Sequence, residues 1–183
     1  MRLLLHTCCA PCAIYPMKQA KEKNLDIAGF FYNPNIHPEA EYKKRQKEST
    51  DFFTSEGAEV ITCETKAEDF FGRVPAGRPA VERCPRCWRM RLEKTHAFAV
   101  QNGFDAFSTT LLGSPYQDHQ TLIKICNELA EDSTVRFYYE DFRIGFKDAH
   151  RIAKDKGIYC QNYCGCVFSL MEKEEARVRR KAR

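Results

Sequence analysis

The stretch Arg2-Leu3-Leu4-Leu5-His6-Thr7-Cys8-Cys9-Ala10-Pro11-Cys12 decides the fold of this chain. Its short apolar run has the length and composition of a strand that is buried on both faces. The run ends abruptly at polar residues and three cysteines. A buried strand that leads into a functional loop has this pattern, so we expect the first strand of a parallel sheet here.

Comparable apolar runs recur along the chain, and helix-forming segments separate them. The further predicted strands are Asp26–Tyr32, Ala58–Cys63, Ala106–Leu112 and Val135–Tyr139. The predicted helices are Pro16–Lys23, Pro38–Phe53, Pro85–Gln101, Gln117–Glu131, Lys147–Lys156 and Val167–Arg179, with a short helix and a loop over 65–82. We place the first helix start at Pro16 because proline is readily accepted only in the first turn.

Strands that alternate with helices predict an α/β fold. We expect a Rossmann-like, three-layer α/β/α arrangement with a parallel sheet of about five strands. The 183 residues suffice for a single domain over 1–183, ending in a basic C-terminal tail at about 177–183. Ligands of such sheets bind at the carboxyl ends of the strands, so we expect a metal site there.

The distribution of apolar residues indicates the cellular compartment in which we expect the protein to function. The N-terminal apolar run is too short for a signal peptide, and no run approaches the roughly 18 apolar residues of a membrane helix. We therefore expect a cytoplasmic protein without a membrane partner, whose thiols are kept reduced. In that compartment, grouped cysteines indicate metal binding or redox catalysis and argue against a disulfide framework.

Seven of the ten cysteines fall into three groups. The groups are Cys8, Cys9 and Cys12; Cys84 and Cys87; and Cys164 and Cys166. Cys8, Cys9, Cys84 and Cys87 suit a zinc ion, an iron–sulfur cluster or reactive dithiols, and spacing leaves these three alternatives open. Cys12 is a candidate alternate fourth ligand of the same site, a ligand of a second metal, a nucleophile or an inert thiol.

The pair Cys164 and Cys166 has a different character, because a single glycine separates the two thiols. Such a short spacing permits a strained, labile disulfide. It favours a redox pair over a ligand pair, since metal ligands are usually two or more residues apart.

Basic residues form three clusters although the net charge is only +4. The clusters comprise Lys43, Lys44, Arg45 and Lys47; Arg83, Arg86, Arg89, Arg91 and Lys94; and Arg177, Arg179, Arg180, Lys181 and Arg183. They indicate either solvated helix faces or a polyanionic partner such as RNA.

Five ordered motifs make the chain recognisable. They are His6-Thr7-Cys8-Cys9-Ala10-Pro11-Cys12, the segment 32–38 with Glu41-Tyr42, Arg83-Cys84-x-x-Cys87, the segment 107–115 and the segment 157–166. Together they closely resemble the cobalamin-independent epoxyqueuosine reductases, over residues 3 to about 170. The resemblance implies reduction of epoxyqueuosine to queuosine at the wobble position of tRNA, with electrons from an unidentified donor.

The same resemblance implies roles for the cysteines. Cys8, Cys9, Cys84 and Cys87 match the ligands of a [4Fe–4S] cluster, Cys12 is the candidate ligand of one additional iron, and Cys164 and Cys166 match a redox-active pair. The residues expected to hold the base, all at strand ends, are Tyr32, Asn33, Asn35, His37, Thr109, Thr110 and Ser114. Two rival interpretations are a zinc-stapled RNA-binding module and a general thiol–disulfide oxidoreductase.

Overall fold

Five parallel strands form one sheet in a computed structural model that describes residues 1–181. Residues 182 and 183 of the expected basic tail lie outside the described residues. The strands are β1 Arg2–His6, β2 Asp26–Phe31, β3 Val60–Thr62, β4 Ala106–Thr109 and β5 Arg136–Phe137. Their spatial order is β3-β2-β1-β4-β5, and every neighbouring pair is parallel. The predicted α/β fold is confirmed.

Helices cover both faces of this sheet. They are α1 Ala10–Glu22, α2 Glu39–Ser55, α3 Ala67–Phe71, α4 Ala80–Gln101, α5 His119–Ala130, α6 Phe146–Asp155 and α7 Val167–Lys181. The path from β1 to β3 runs in one direction across the sheet, and the path from β4 to β5 runs in the other. Right-handed crossovers therefore place α1 and α2 on one face and α4 and α5 on the opposite face. Accordingly, α1 packs against α2 and α6, whereas α4 packs against α5.

The core is built around the central strand. Leu4 and Leu5 of β1 are fully buried, as is Phe107 of β4 beside them. A side chain at Gly29 of β2 would begin 2.9 Å from the ring of Phe53, so only glycine lets α2 lie this close to the sheet. The continuous burial of β1 explains the unbroken apolar run in its sequence.

Two helices begin earlier than the sequence predicts. Helix α1 begins at Ala10 and contains Pro16, and α4 begins at Ala80 and contains Pro85. The expectation that Pro16 starts a helix was wrong, because Pro11 already occupies the first turn of α1. The buried side chains of α1 around Pro16, including Ile14 and Met17, stabilise a helix that one missing hydrogen bond does not end.

Strands β4 and β5 are shorter than predicted. The chain leaves β4 after Thr109, whose Oγ1 accepts a hydrogen bond from the Leu111 N–H, and a 3-10 helix follows over Thr110–Gly113. A second 3-10 helix spans Phe142–Gly145, just before α6. No helix within the described residues is long and apolar enough to cross a membrane.

Candidate metal and redox site

The carboxyl end of β1 is the topological switch point of the sheet. The chain leaves β1 and β4 toward helices on opposite faces, which opens a crevice between the two strand ends. Cys8 and Cys9 follow β1 directly, and Cys12 lies in the first turn of α1. The structure therefore places the first cysteine group where open α/β sheets bind their ligands.

The thiols of Cys8, Cys9 and Cys12 converge, and their Sγ atoms all lie within 4.8 Å of one another. We call these three residues the thiol triad. The Sγ atoms of Cys8 and Cys9 are 3.8 Å apart, so these neighbours turn inward together, as an irregular loop allows. Among residues 1–181, the triad is the one group of three or more potential ligands this close together.

The last residue of β4 and the first residue of the 3-10 helix that follows it hold the triad in place. The Cys8 N–H donates to Thr110 Oγ1 at 3.2 Å, and the same hydroxyl lies 3.4 Å from Cys8 Sγ. Thr109 Oγ1 lies 2.9 Å from His6 Nδ1. Both threonines are fully buried, so these side chains anchor the cysteine loop to the neighbouring strand.

The pKa values of the three thiols of the triad are shifted in different directions. Hydrogen bonds from the Cys12 and Cys9 thiols hold the pKa of Cys8 well below its usual value. Burial raises the pKa of Cys9, and the hydrogen bond to Cys8 raises that of Cys12. Burial, together with the charge of Arg91, lowers the pKa of His6 to about 3, so this imidazole is neutral and its Nε2 is buried without a partner.

Cys164 and Cys166 form a second thiol group, the redox pair, with Sγ atoms 3.6 Å apart. Cys164 is exposed and Cys166 is buried. Hydrogen bonds with Cys166 and with the Ser169 hydroxyl, 3.0 Å away, lower the pKa of Cys164 to about 5. The hydrogen bond to Cys164 raises the pKa of Cys166. The lowered pKa of Cys164 beside the raised pKa of Cys166 favours the thiolate form of the exposed cysteine.

Cys84 and Cys87 lie near the start of α4, outside the triad's close group. Cys87 belongs to a small buried cluster with Cys166 and Phe70. Burial raises the pKa of Cys84 and raises that of Cys87 to about 11, and the charge of Cys164 raises both further. The structure thus brings Cys84 and Cys87 near the redox pair, and it brings Cys12 together with Cys8 and Cys9.

The segment 161–165 connects the triad to the redox pair. Gln161 Nε2 lies 2.8 Å from Cys9 Sγ. Arg45 of α2, with a side chain only 1% exposed, donates to the carbonyls of Tyr163 and Cys164 at 3.2 and 3.1 Å. Its Nε donates to Glu41 at 2.7 Å. One buried guanidinium therefore fixes the backbone of the redox pair.

Sequence reasoning missed Gln161 and placed three buried arginines in basic clusters on the surface. Arg45, Arg83 and Arg91, expected in those clusters, are all buried. A signal for Arg45 was available, because it stands on the spacing of the buried residues Ser49, Phe52 and Phe53 of α2. We see no comparable sequence signal for Gln161, whose contact depends on the loop conformation.

The residues expected to hold a base differ in burial and in position along the chain. Asn33, Thr109 and Thr110 are fully buried. Asn33 Nδ2 donates to the Thr7 carbonyl at 2.9 Å, so it fixes the start of the cysteine loop. Ser114, half-buried, accepts a hydrogen bond from the Tyr116 N–H.

Three further residues expected to hold the base, Tyr32, Asn35 and His37, lie in the segment that follows β2. The Tyr32 hydroxyl is 3.5 Å from Asp69, and the His37 ring packs against Phe70 and Phe71. The His37 N–H donates to the Gly165 carbonyl at 2.8 Å, which brings this segment to the redox pair. Asn35 Oδ1 is buried without a partner.

Comparison with known proteins identifies the family. The model of the family described as "Epoxyqueuosine reductase QueH" matches residues 3–172. The chain belongs to the QueH family. An epoxyqueuosine reductase QueH of Dehalococcoides mccartyi is 38% identical over 173 residues, which are 94% of each chain. A QueH of Thermotoga maritima is 35% identical over 181 residues, 94% of this chain and 92% of that protein.

Solved structures support the fold alone. The crystal structure of a deacetylase of teicoplanin biosynthesis superposes with a TM-score of 0.51 at 11% identity. The match covers 75% of this QueH chain and 65% of the deacetylase.

The residues at the switch point fit a thiolate-bound metal centre. Three thiols converge within 4.8 Å, and two buried polar atoms nearby, His6 Nε2 and Gln161 Oε1, have no partner in the described residues. Buried polar groups are normally satisfied, so these atoms favour a further group at this position. Thiolates are the ligands that zinc and iron–sulfur centres prefer.

Proposed function

We propose that this QueH chain reduces epoxyqueuosine in tRNA to queuosine. One observation carries the proposal: in a chain of this family, a convergent thiol triad at the switch point and a closely spaced redox pair are linked through Gln161 and Arg45. Neither a zinc-stapled RNA-binding module nor a general thiol–disulfide oxidoreductase is favoured by membership of this family.

The redox pair supplies the reducing equivalents. Removing the epoxide oxygen as water, with formation of an alkene, consumes two electrons and two protons. Oxidation of the pair from Cys164 thiolate and Cys166 thiol to a disulfide releases two electrons and one proton, and solvent supplies the second proton, so the step balances. The exposed Cys164 is reachable by an external electron donor, which returns the disulfide to the dithiol.

Metal would be held beside this pair. In the proposed assignment Cys8, Cys9, Cys84 and Cys87 ligate a [4Fe–4S] cluster, and Cys12 contributes to one additional iron. The convergence of Cys12 with Cys8 and Cys9 supports its participation in metal binding. When bound, such a centre supplies one-electron chemistry and a cation that polarises the epoxide oxygen. The hydrogen bond between His6 and Thr109 fixes the carboxyl end of β1. Gln161 contacts Cys9 and belongs to the segment that leads to the redox pair.

The modified base is proposed to enter over the segment after β2. Tyr32, Asn35, His37 and Ser114 are the candidates for contact with the base, whereas Asn33, Thr109 and Thr110 position the cysteine loop that the base approaches. The unpartnered Asn35 Oδ1 supports a ligand on this side. Exposed basic side chains, such as that of Arg86 beside Cys84 and Cys87, are proposed to contact tRNA phosphates.

A turnover assay tests the function. Anaerobically reconstituted protein is incubated with tRNA carrying epoxyqueuosine and a chemical reductant, and mass spectrometry follows the loss of one oxygen atom from the digested nucleoside. Conversion by wild type, retained in Cys63→Ser outside the three groups and lost in Cys166→Ser, supports the proposal. Wild type that carries its metal and leaves the nucleoside unchanged contradicts it.

A further inference from the structure

Three arginines are buried around the cysteines, and one of them lacks an anionic partner. Arg45 is paired with Glu41 and Arg83 with Glu172. Arg91 of α4 is 4% exposed, yet no carboxylate among residues 1–181 lies within salt-bridge distance of it. Its hydrogen bonds go to two neutral groups, the Cys87 carbonyl at 3.2 Å and Asn33 Oδ1 at 3.5 Å.

Burying a guanidinium without an anionic partner costs free energy, so the position of Arg91 requires a physical explanation. The desolvation of a buried charge is offset only by an opposite charge or by well-placed hydrogen bonds. Two contacts connect Arg91 to cysteine-bearing segments: Cys87 is one turn earlier on the same helix, and Asn33 links Arg91 to the loop that carries Cys8.

We propose that Arg91 is the counter-charge of the thiolate–metal centre. This inference rests on the proposed function in so far as that function requires a bound metal. Cysteines ligate metal as thiolates, so metal binding brings negative charge into the buried space that Arg91 borders. In a low-dielectric site this attraction is strong, and it exists only when the thiolates are formed. Arg91 acts through the ligands and is not itself a metal ligand.

The inference predicts a metal-dependent effect that a merely structural residue would not have. In metal-free protein Arg91 has no carboxylate partner, so replacing it with the apolar Met should change the melting temperature less than it does in the metal-loaded protein. In the metal-loaded protein the same replacement removes an attractive partner and should lower the melting temperature. A positive charge also stabilises the more negative, reduced centre, so its loss should make the reduction potential more negative.

The experiment compares Arg91→Met, Arg91→Lys and Arg89→Met in full-length protein before and after reconstitution with iron and sulfide. Arg89 is a matched control, since it lies two residues earlier on α4 but is 40% exposed and paired with Glu128. We expect Arg91→Met to lose most of the rise in melting temperature that metal gives to wild type, and to shift the midpoint potential of the centre downward. Arg91→Lys, which keeps the charge, should retain most of both quantities, and Arg89→Met should match wild type.

Three outcomes overturn the inference, and the first two do so without refuting the proposed metal centre. An equal metal-dependent rise and an equal potential in wild type and Arg91→Met would show that the charge is not coupled to the centre. Equal losses in Arg91→Met and Arg91→Lys would assign the effect to shape and hydrogen bonding instead. If Arg91→Met does not fold, Arg91→Gln takes its place with the same expectations. If wild type takes up no iron or sulfide, the proposed metal centre and this inference are refuted together. If wild type takes up the metal but the charge at position 91 has no effect, only this inference is refuted.

Discussion

Replacing Gly165 by alanine tests how the redox pair is built. Gly165 has φ +116°, and a Cβ at this position would lie 3.0 Å from Ile36 Cγ1 and 3.2 Å from Arg45 Nη1. A non-glycine residue in such a backbone conformation costs about 1–3 kcal/mol. Crowding against a buried side chain adds about 1–3 kcal/mol. Taken together at about 4 kcal/mol, the middle of the summed range, the strain predicts a fall in melting temperature of roughly 8–16 °C for a chain of this size.

The crowding should also affect formation of the Cys164–Cys166 disulfide, because the added Cβ would approach Arg45 Nη1, which donates a hydrogen bond to the Cys164 carbonyl. We expect the loop to shift and the Cys164–Cys166 disulfide to form more slowly. Melting of the reduced, metal-free protein and the rate of disulfide formation with oxidised glutathione measure the two effects. Gly77→Ala is the matched control, since Gly77 also has a positive φ, +75°, but has open space around its Cβ position.

The control separates backbone strain from packing. Gly77→Ala should lower the melting temperature by less than Gly165→Ala and leave disulfide formation unchanged. The reasoning is refuted if the two variants melt alike and the pair in Gly165→Ala closes as fast as in wild type.

Three further predictions follow from the site. Cys164→Ser and Cys166→Ser should each abolish multiple turnover and leave the visible absorption of the centre intact; loss of the absorption in either variant would make that residue a ligand. Alkylation of Cys164 in metal-free protein should rise through a midpoint near pH 5 as the thiolate forms, with a plateau above it, because its pKa is lowered to about 5 by Cys166 and Ser169; a midpoint near pH 9 would contradict this. Affinity for tRNA should fall steeply with salt, and Arg86→Ala should reduce the slope of log affinity against log salt by about one; a flat response in wild type would exclude phosphate contacts.

The fold could be predicted because its signals are local. The apolar run of β1 and the alternation of strands and helices along the chain are sufficient for a parallel sheet, and the rule for strand ends then locates the site. Helix starts were less predictable, since the burial of α1 outweighs the local effect of Pro16. The ends of β4 and β5 depend on turns such as the one capped by Thr109.

The site was predictable only in part. Short spacing indicated that Cys164 and Cys166 lie together, and they do, with Sγ atoms 3.6 Å apart. The convergence of Cys12 with Cys8 and Cys9 requires the first turn of α1 to begin at Ala10, which the sequence did not indicate. The burial of Arg45 and Arg91 depends on contacts between residues far apart in the chain, and charge counting along the sequence does not contain that information.

The central claim is that these thiols hold an iron–sulfur centre that works with the redox pair. Anaerobic purification followed by visible absorption and by iron, sulfide and zinc analysis tests it most directly. We predict a brown protein with about four iron and four sulfide per chain, as a cluster on four thiolates requires, and up to one further iron. A colourless protein with one zinc and no sulfide would contradict the account.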